Sequence, residues 1–333
     1  MNILLALEAG SWRDQLFPEP LMRRLEALGN VKMNGYGRSM TERELAAKLE
    51  DVEVCIVFAW GGCAPFTREV LDNAPNLKLI VTPGGSVASF ITEEVYERGI
   101  HVCSANRVMA RYVAEGALAY MLASLREIVH RHAEIGGGLW NTAPIRSLIG
   151  AKVGLIGLGT VGRFLLDLLR PFEVSVTLYD PYIAPGSLES YSNVTIVDSL
   201  EEALSDQDIV SLHASKTAET YHMIDREKLA LLQDGAVLIN TARGSLIDEE
   251  ALAAELESGR VHAVLDVFET EPLPAGSKLR QSEGVILMPH VAGMIKLDAL
   301  ALAMLDEIDR YRQGKPLQHE IPVRQFRLMT REF

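Results

Sequence analysis

Three short motifs in the second half of the chain carry side chains that can do acid chemistry. Asn240-Thr241-Ala242-Arg243-Gly244 supplies an arginine, Asp266-Val267-Phe268-Glu269-Thr270-Glu271-Pro272 supplies carboxylates, and Met288-Pro289-His290 supplies a histidine. A planar guanidinium grips a carboxylate and polarises a carbonyl next to it. A histidine beside a carboxylate can hold and release a proton near neutrality. Upstream lies Gly157-Leu158-Gly159-Thr160-Val161-Gly162. Together the residues can bind an acid, move a proton and sit beside a dinucleotide.

The glycine pattern alone is weak, but here it directly follows an apolar run at 153–156 and opens a helical pattern. In that context Gly157 permits a tight turn, Gly159 lets a pyrophosphate approach the backbone, and Gly162 lets the helix press on the strand. Asp180 ends the next strand, about 20 residues further on. A carboxylate there accepts hydrogen bonds from an adenosine ribose and repels a 2′-phosphate, so NAD is expected and NADP disfavoured. The competing reading is an ordinary turn residue before Pro181.

These residues need a frame. Apolar runs at 2–7, 54–59 and 77–81 alternate with helical patterns at 20–28 and 42–49. A second series has strands at 153–157, 175–179, 209–213, 236–240, 261–266 and 285–288, with helices at 162–169 and 249–257 among them. Such alternation predicts parallel sheets covered on both faces, an α/β fold with two doubly wound domains. Residues 108–126 read as a long helix, apolar on more than one face, suited to burial or to a dimer interface. Gly136-Gly137-Gly138 and Trp140 read as a loop, and 297–313 as a helix returning to the first domain. The cleft between domains is the expected place for chemistry.

Composition sets outer limits. The chain has 333 residues, 48% hydrophobic and 23% charged, which suits globular domains with sizeable cores. A net charge of −13 disfavours nucleic acid as a partner. Cys55, Cys63 and Cys103 are odd in number and form no Cys-x-x-Cys pair, which fits a reducing cytoplasm. The N-terminal residues read as a strand rather than a signal peptide, and no apolar stretch approaches the ~18 residues of a membrane span. His130, His132 and His319 suggest no metal-ligand set.

At this point the chain resembles the D-2-hydroxyacid dehydrogenase family. The resemblance is carried by GLGTVG at 157–162, YDPY at 179–182, SLH at 211–213, NTARG at 240–244, DVFETEP at 266–272 and PH at 289–290. It implies a Rossmann NAD-binding domain over 104–297 and a flavodoxin-like substrate domain built from 1–103 and 298–333, with the active site in the cleft. Arg243 would bind substrate, His290 would be the acid–base residue and Glu271 its partner, the negative charge favouring imidazolium. The residues alone leave Glu269 as a competitor for that partnership; the Glu-Pro match of the family selects Glu271. Thr160, Val161, Thr241, Ala242 and Asp266 would touch the cofactor, as would His213, which could instead cap its strand.

The chain also departs from the family. The usual Gly-x-Gly-x-Asp-x-Ile-Asp segment reads Gly84-Gly85-Ser86 onward, with Ala88 and Ile91 at the acidic positions. Backbone N–H groups at Gly84, Gly85 and Ser86 could still hold a substrate carboxylate. Trp60 either covers the substrate or packs within its own domain. The expectation is an NAD-dependent oxidoreductase, a cytoplasmic homodimer acting on a small 2-hydroxy or 2-keto acid. The alternative is an NAD-sensing, corepressor-like binding protein on the same fold. Formate oxidation is disfavoured, because that branch replaces the partner glutamate with an amide.

Overall fold

The computed structural model describes residues 1–58, 63–183 and 186–329. The expected strand residue Ala59 and the candidate Trp60 lie outside them. Two compact units emerge, one from Met1–Met109 with Ile295–Phe333 and one from Ala110–Met294. The sequence-based boundaries were 1–103 with 298–333 and 104–297.

The first unit holds β1 (Asn2–Leu5), β2 (Asn30–Met33), β3 (Val54–Ile56), β4 (Leu79–Thr82) and β5 (His101–Ser104) in the order β2-β1-β3-β4-β5. All its strand pairs are parallel, and the order is that of flavodoxin-like sheets. β3 and β4 are wholly buried and read as unbroken apolar runs, whereas the edge strand β2 is largely exposed. One face packs on the helix Glu42–Leu49 through Leu45 and Leu49. The other packs on Leu300, Ala301, Met304, Leu305 and Ile308 of the helix Leu297–Arg312. Buried Glu307 on that helix accepts the backbone N–H of Gln318 and His319 and the thiol of Cys103, tying the later chain beside β5.

The second unit holds β6 (Lys152–Ile156), β7 (Ser175–Tyr179), β8 (Val194–Ile196), β9 (Ile209–Leu212), β10 (Val237–Asn240), β11 (His262–Leu265) and β12 (Val285–Leu287). The order β12-β11-β10-β9-β6-β7-β8 reverses direction at β6, the doubly wound arrangement that places ligands beyond the carboxyl ends of the strands. β9 and β10 are fully buried between two apolar layers. The helix Asn106–Leu125 contributes Ala114, Ala117, Met121 and Leu125 to one layer.

Candidate active site

The glycine loop is as tight as its residues allow. Gly157 sits at φ 91°, and a Cβ there would lie 2.7 Å from Ala214 N, on the segment leaving β9. A Cβ on Gly162 would lie 2.8 Å from Gly157 O, so the third glycine lets the helix Thr160–Leu169 press on the loop. Gly159 has open space and is the N-cap, with no side chain capping the helix. Thr160 and Val161 form the first turn and are partly exposed. Asp180 accepts Leu158 N–H at 2.7 Å and Tyr182 N–H at 2.8 Å, which fixes its carboxylate against the glycine loop. His213 Nε2 meets Ser211 Oγ at 2.9 Å, and burial pushes its pKa down to about 4, so it is neutral at pH 7.

After β10, the side chain of buried Asn240 staples the next turn. Its Nδ2 donates to Arg243 O at 2.8 Å and its Oδ1 accepts Ala242 N–H at 3.0 Å. Sequence reasoning assigned Asn240 no role, although its place in NTARG was visible. Thr241 Oγ1 is buried with no hydrogen-bond partner, a group that a ligand would satisfy. The Arg243 guanidinium donates to Ala242 O. Gly244 then passes so close to the chain after β11 that a Cβ on it would lie 1.8 Å from Phe268 C. That backbone contact brings the arginine motif against the glutamate motif.

The glutamates separate here. Glu271 Oε1 accepts Phe268 N–H at 3.0 Å, and Oε2 meets His290 Nδ1 at 2.7 Å. Glu269 pairs with His222 instead. Burial raises the Glu271 pKa, but the His290 and Phe268 hydrogen bonds and the charges of His290 and Arg243 outweigh it, leaving the carboxyl below its usual range. His290 occupies the left-handed region at φ 55°. Its Nδ1 is committed to Glu271.

Asp266 explains how that backbone is held. It is 1% exposed and accepts Val291 N–H and Ala292 N–H, each at 3.0 Å, and the Tyr120 hydroxyl at 3.1 Å. Burial raises its pKa and these hydrogen bonds oppose the rise. Its visible work is to anchor the segment after His290; its expected cofactor contact is a separate matter. Tyr120, 146 residues away in sequence, was missed, and no local signal marks it.

In the first unit, Gly84 and Gly85 have φ 159° and 80°, which favours glycine, and Ser86 Oγ accepts Ala88 N–H at 3.2 Å. Val87, Phe90 and Ile91 are core residues and Ala88 packs against them. The positions where the family pattern has acids therefore belong to an apolar core, and the turn is closed by Phe90 and Ile91 N–H on Val87 O. A small crevice lies beyond β1 and β3, lined by Leu7, Trp12, Arg13, Met40, Val57 and Phe58 among others.

The family model described as "D-isomer specific 2-hydroxyacid dehydrogenase, NAD binding domain" matches residues 118–292, more than half of the chain. The chain belongs to this family. It is 34% identical over 275 residues to a D-3-phosphoglycerate dehydrogenase of Methanocaldococcus jannaschii, a match covering 82% of this chain and 51% of that protein. The chain thus spans about half the length of that curated relative. It is 38% identical over 233 residues to a glyoxylate reductase of Thermofilum pendens, covering 67% of this chain and 68% of that one. Among solved structures, a phosphoglycerate oxidoreductase from Rhizobium etli is 26% identical with a TM-score of 0.79, covering 96% and 98% of the two chains. Membership in the family implies a nicotinamide dinucleotide, and the residues fit one: Gly157 and Gly162, which leave no room for Cβ atoms, Gly159, whose open side lets a ligand approach, a helix start without a side-chain cap and an orphaned Thr241 hydroxyl.

Proposed function

We propose that the chain interconverts small 2-keto and 2-hydroxy acids with NAD, acting on the D isomer. The observation that carries this reading is the 2.7 Å pair between His290 and Glu271, set within the charge field of Arg243 in the unit that holds the glycine loop. A nicotinamide bound at the glycine loop would supply the hydride chemistry at C2. Arg243 binds the carboxylate and draws electron density from the neighbouring carbonyl. His290 gives the carbonyl oxygen its proton in reduction and removes it in oxidation, while Glu271 orients the ring and stabilises its cationic form. Gly157, Gly159, Thr160, Val161 and Gly162 would hold the pyrophosphate, and His213, Thr241, Ala242 and Asp266 the remainder of the dinucleotide.

Asp180 supports NAD over NADP, since a 2′-phosphate would meet a carboxylate already fixed by two backbone donors. To Gly84, Gly85 and Ser86 we assign substrate contacts other than those of Arg243. The glyoxylate reductase relative makes glyoxylate the first acid to try. The test follows NADH oxidation with glyoxylate, hydroxypyruvate, pyruvate, phenylpyruvate and branched-chain keto acids, with NADPH in parallel. Turnover with NADH should fall roughly 100- to 10,000-fold in His290→Ala, the usual worth of a general acid. Near-normal turnover in that variant would sink the assignment.

A further inference from the structure

The turn that carries Glu271 bears a second histidine–carboxylate pair. Glu269 meets His222 Nε2 through its carboxylate, and its own N–H donates to Glu249 Oε1 at 2.6 Å. His222 is itself fixed. It sits in the left-handed region at φ 49°, its ring stacks on Tyr221 at 4.0 Å and 15°, and its N–H donates to Ser245 O at 2.8 Å. A solvent-exposed ion pair would matter little, but both members here are about 30% exposed and joined to fixed backbone (29% and 31%). The pair holds Glu269 and the Gly244 contact presses on Phe268 and Glu269, and Phe268 N–H in turn holds Glu271.

We propose that His222 is a positioning residue for the reaction: through Glu269 it holds the turn that presents Glu271 to His290. The proposal rests on the acid–base role given to His290 above. Its physical basis is charge as well as contact. Glu249, half-buried at the start of the helix Glu249–Glu257, feels the charges of both Glu269 and Glu271. The groups facing these carboxylates are His222, His290 and Arg243. Without His222, Glu269 loses its partner while still facing the like charge of Glu249, and the turn relaxes away from it. The 2.7 Å contact from Glu271 to His290 lengthens with it. The supports of the glycine loop, Asp180 and the His213–Ala214 segment, belong to other elements, so the pyrophosphate cradle stays in place.

The test uses the full chain as His222→Ala, His222→Gln and Glu269→Gln, with His290→Ala as control. The assay is reduction of the 2-keto acid that the wild type turns over fastest, alongside NADH binding by fluorescence and thermal unfolding. His222→Ala should lower kcat by roughly tenfold, as small misplacements of a reacting group do, and Glu269→Gln, which removes the like charge and keeps an acceptor for His222, should lower it less. KM for the acid and Kd for NADH should stay within about twofold. His222→Gln, whose amide can still donate to Glu269, should recover most of kcat. A fall in unfolding temperature with kcat unchanged, or equal losses in His222→Gln and His222→Ala, would overturn the positioning role. If His290→Ala is inactive while His222→Ala matches wild type, only this inference fails. If His290→Ala remains active, the functional reading itself fails.

Discussion

At the scale of single residues, the decisive chemistry is the competition for carboxylate oxygens. Glu271 has its pKa lowered although burial pushes the other way, so the ionised form is the one the folded state holds. The sign follows for a depressed carboxyl: its stabilisation is fully present above the ordinary glutamate pKa and is lost as pH falls through the lowered folded value. Urea unfolding of wild type and Glu271→Gln should therefore differ most near neutrality and converge in acid; a gap that widens in acid would contradict the pairing. Asp266 makes a different case. Replacing it with Ala strands two backbone N–H groups and the Tyr120 hydroxyl in a buried place. The expected loss is about 2–4 kcal/mol by denaturant titration, from unsatisfied buried donors. Turnover should also fall, because the segment after His290 loses its anchor. Retention of both stability and activity would show that Asp266 anchors nothing.

At the scale of elements, the site is made where two strand-ending turns touch. Gly244 is the contact, and its neighbour is backbone, which cannot rotate away as a flexible side chain would. Gly244→Ala should cost about 3 kcal/mol of stability, at the upper end for overpacking, and reduce turnover together with it. A fully stable, active variant would mean the turns are not pressed together. The same scale shows what was legible in the sequence. The buried strands β3, β4, β9 and β10 announced themselves as apolar runs, and the glycine loop by its place between strand and helix. The edge strands β2 and β8 did not, since their exposed faces carry Asn30, Lys32 and Thr195 and give no apolar run. β5, with His101 and Ser104 at its ends, was equally short of one. Residue types named Arg243, a glutamate and His290 as a set, but spacing could not choose between Glu269 and Glu271, and the family's Glu-Pro match made that choice. That choice depends on which histidine the fold brings to each, and His222 and Tyr120 arrive from segments remote in sequence. Asn240 and Asp266 were visible as letters; their work as staples of backbone became visible only with the N–H groups they accept.

At the scale of the whole molecule, the question is where a chain of net charge −13 could meet its own copy. Two such chains repel, so an interface needs apolar area and local charge balance. The long helix Asn106–Leu125, the first candidate, spends Ala110, Ala114, Ala117, Met121 and Leu125 on burial within the chain. The following stretch differs. Ile128, Val129 and Ile135 of the helix Ile128–Gly136 are more than half exposed, as are Leu139, Trp140 and Ile149 beyond it, with Trp140 at 82%. Exposed apolar side chains gathered so closely in one segment mark an interaction surface. Arg126, Arg131 and Arg146 stand among them against Glu127 and Glu134, so the overall negative charge is absent here. Residues 128–149 are therefore the stretch at which self-association is best tested. Sedimentation should give twice the chain mass, and the dimer should tighten as salt rises from low ionic strength, because screening weakens the long-range repulsion while the apolar contact remains. Ile128→Asp with Leu139→Asp, both on exposed side chains, should yield a folded monomer. A wild-type chain that sediments as a monomer at high micromolar concentration, or a dimer indifferent to both substitutions, would place the interface elsewhere.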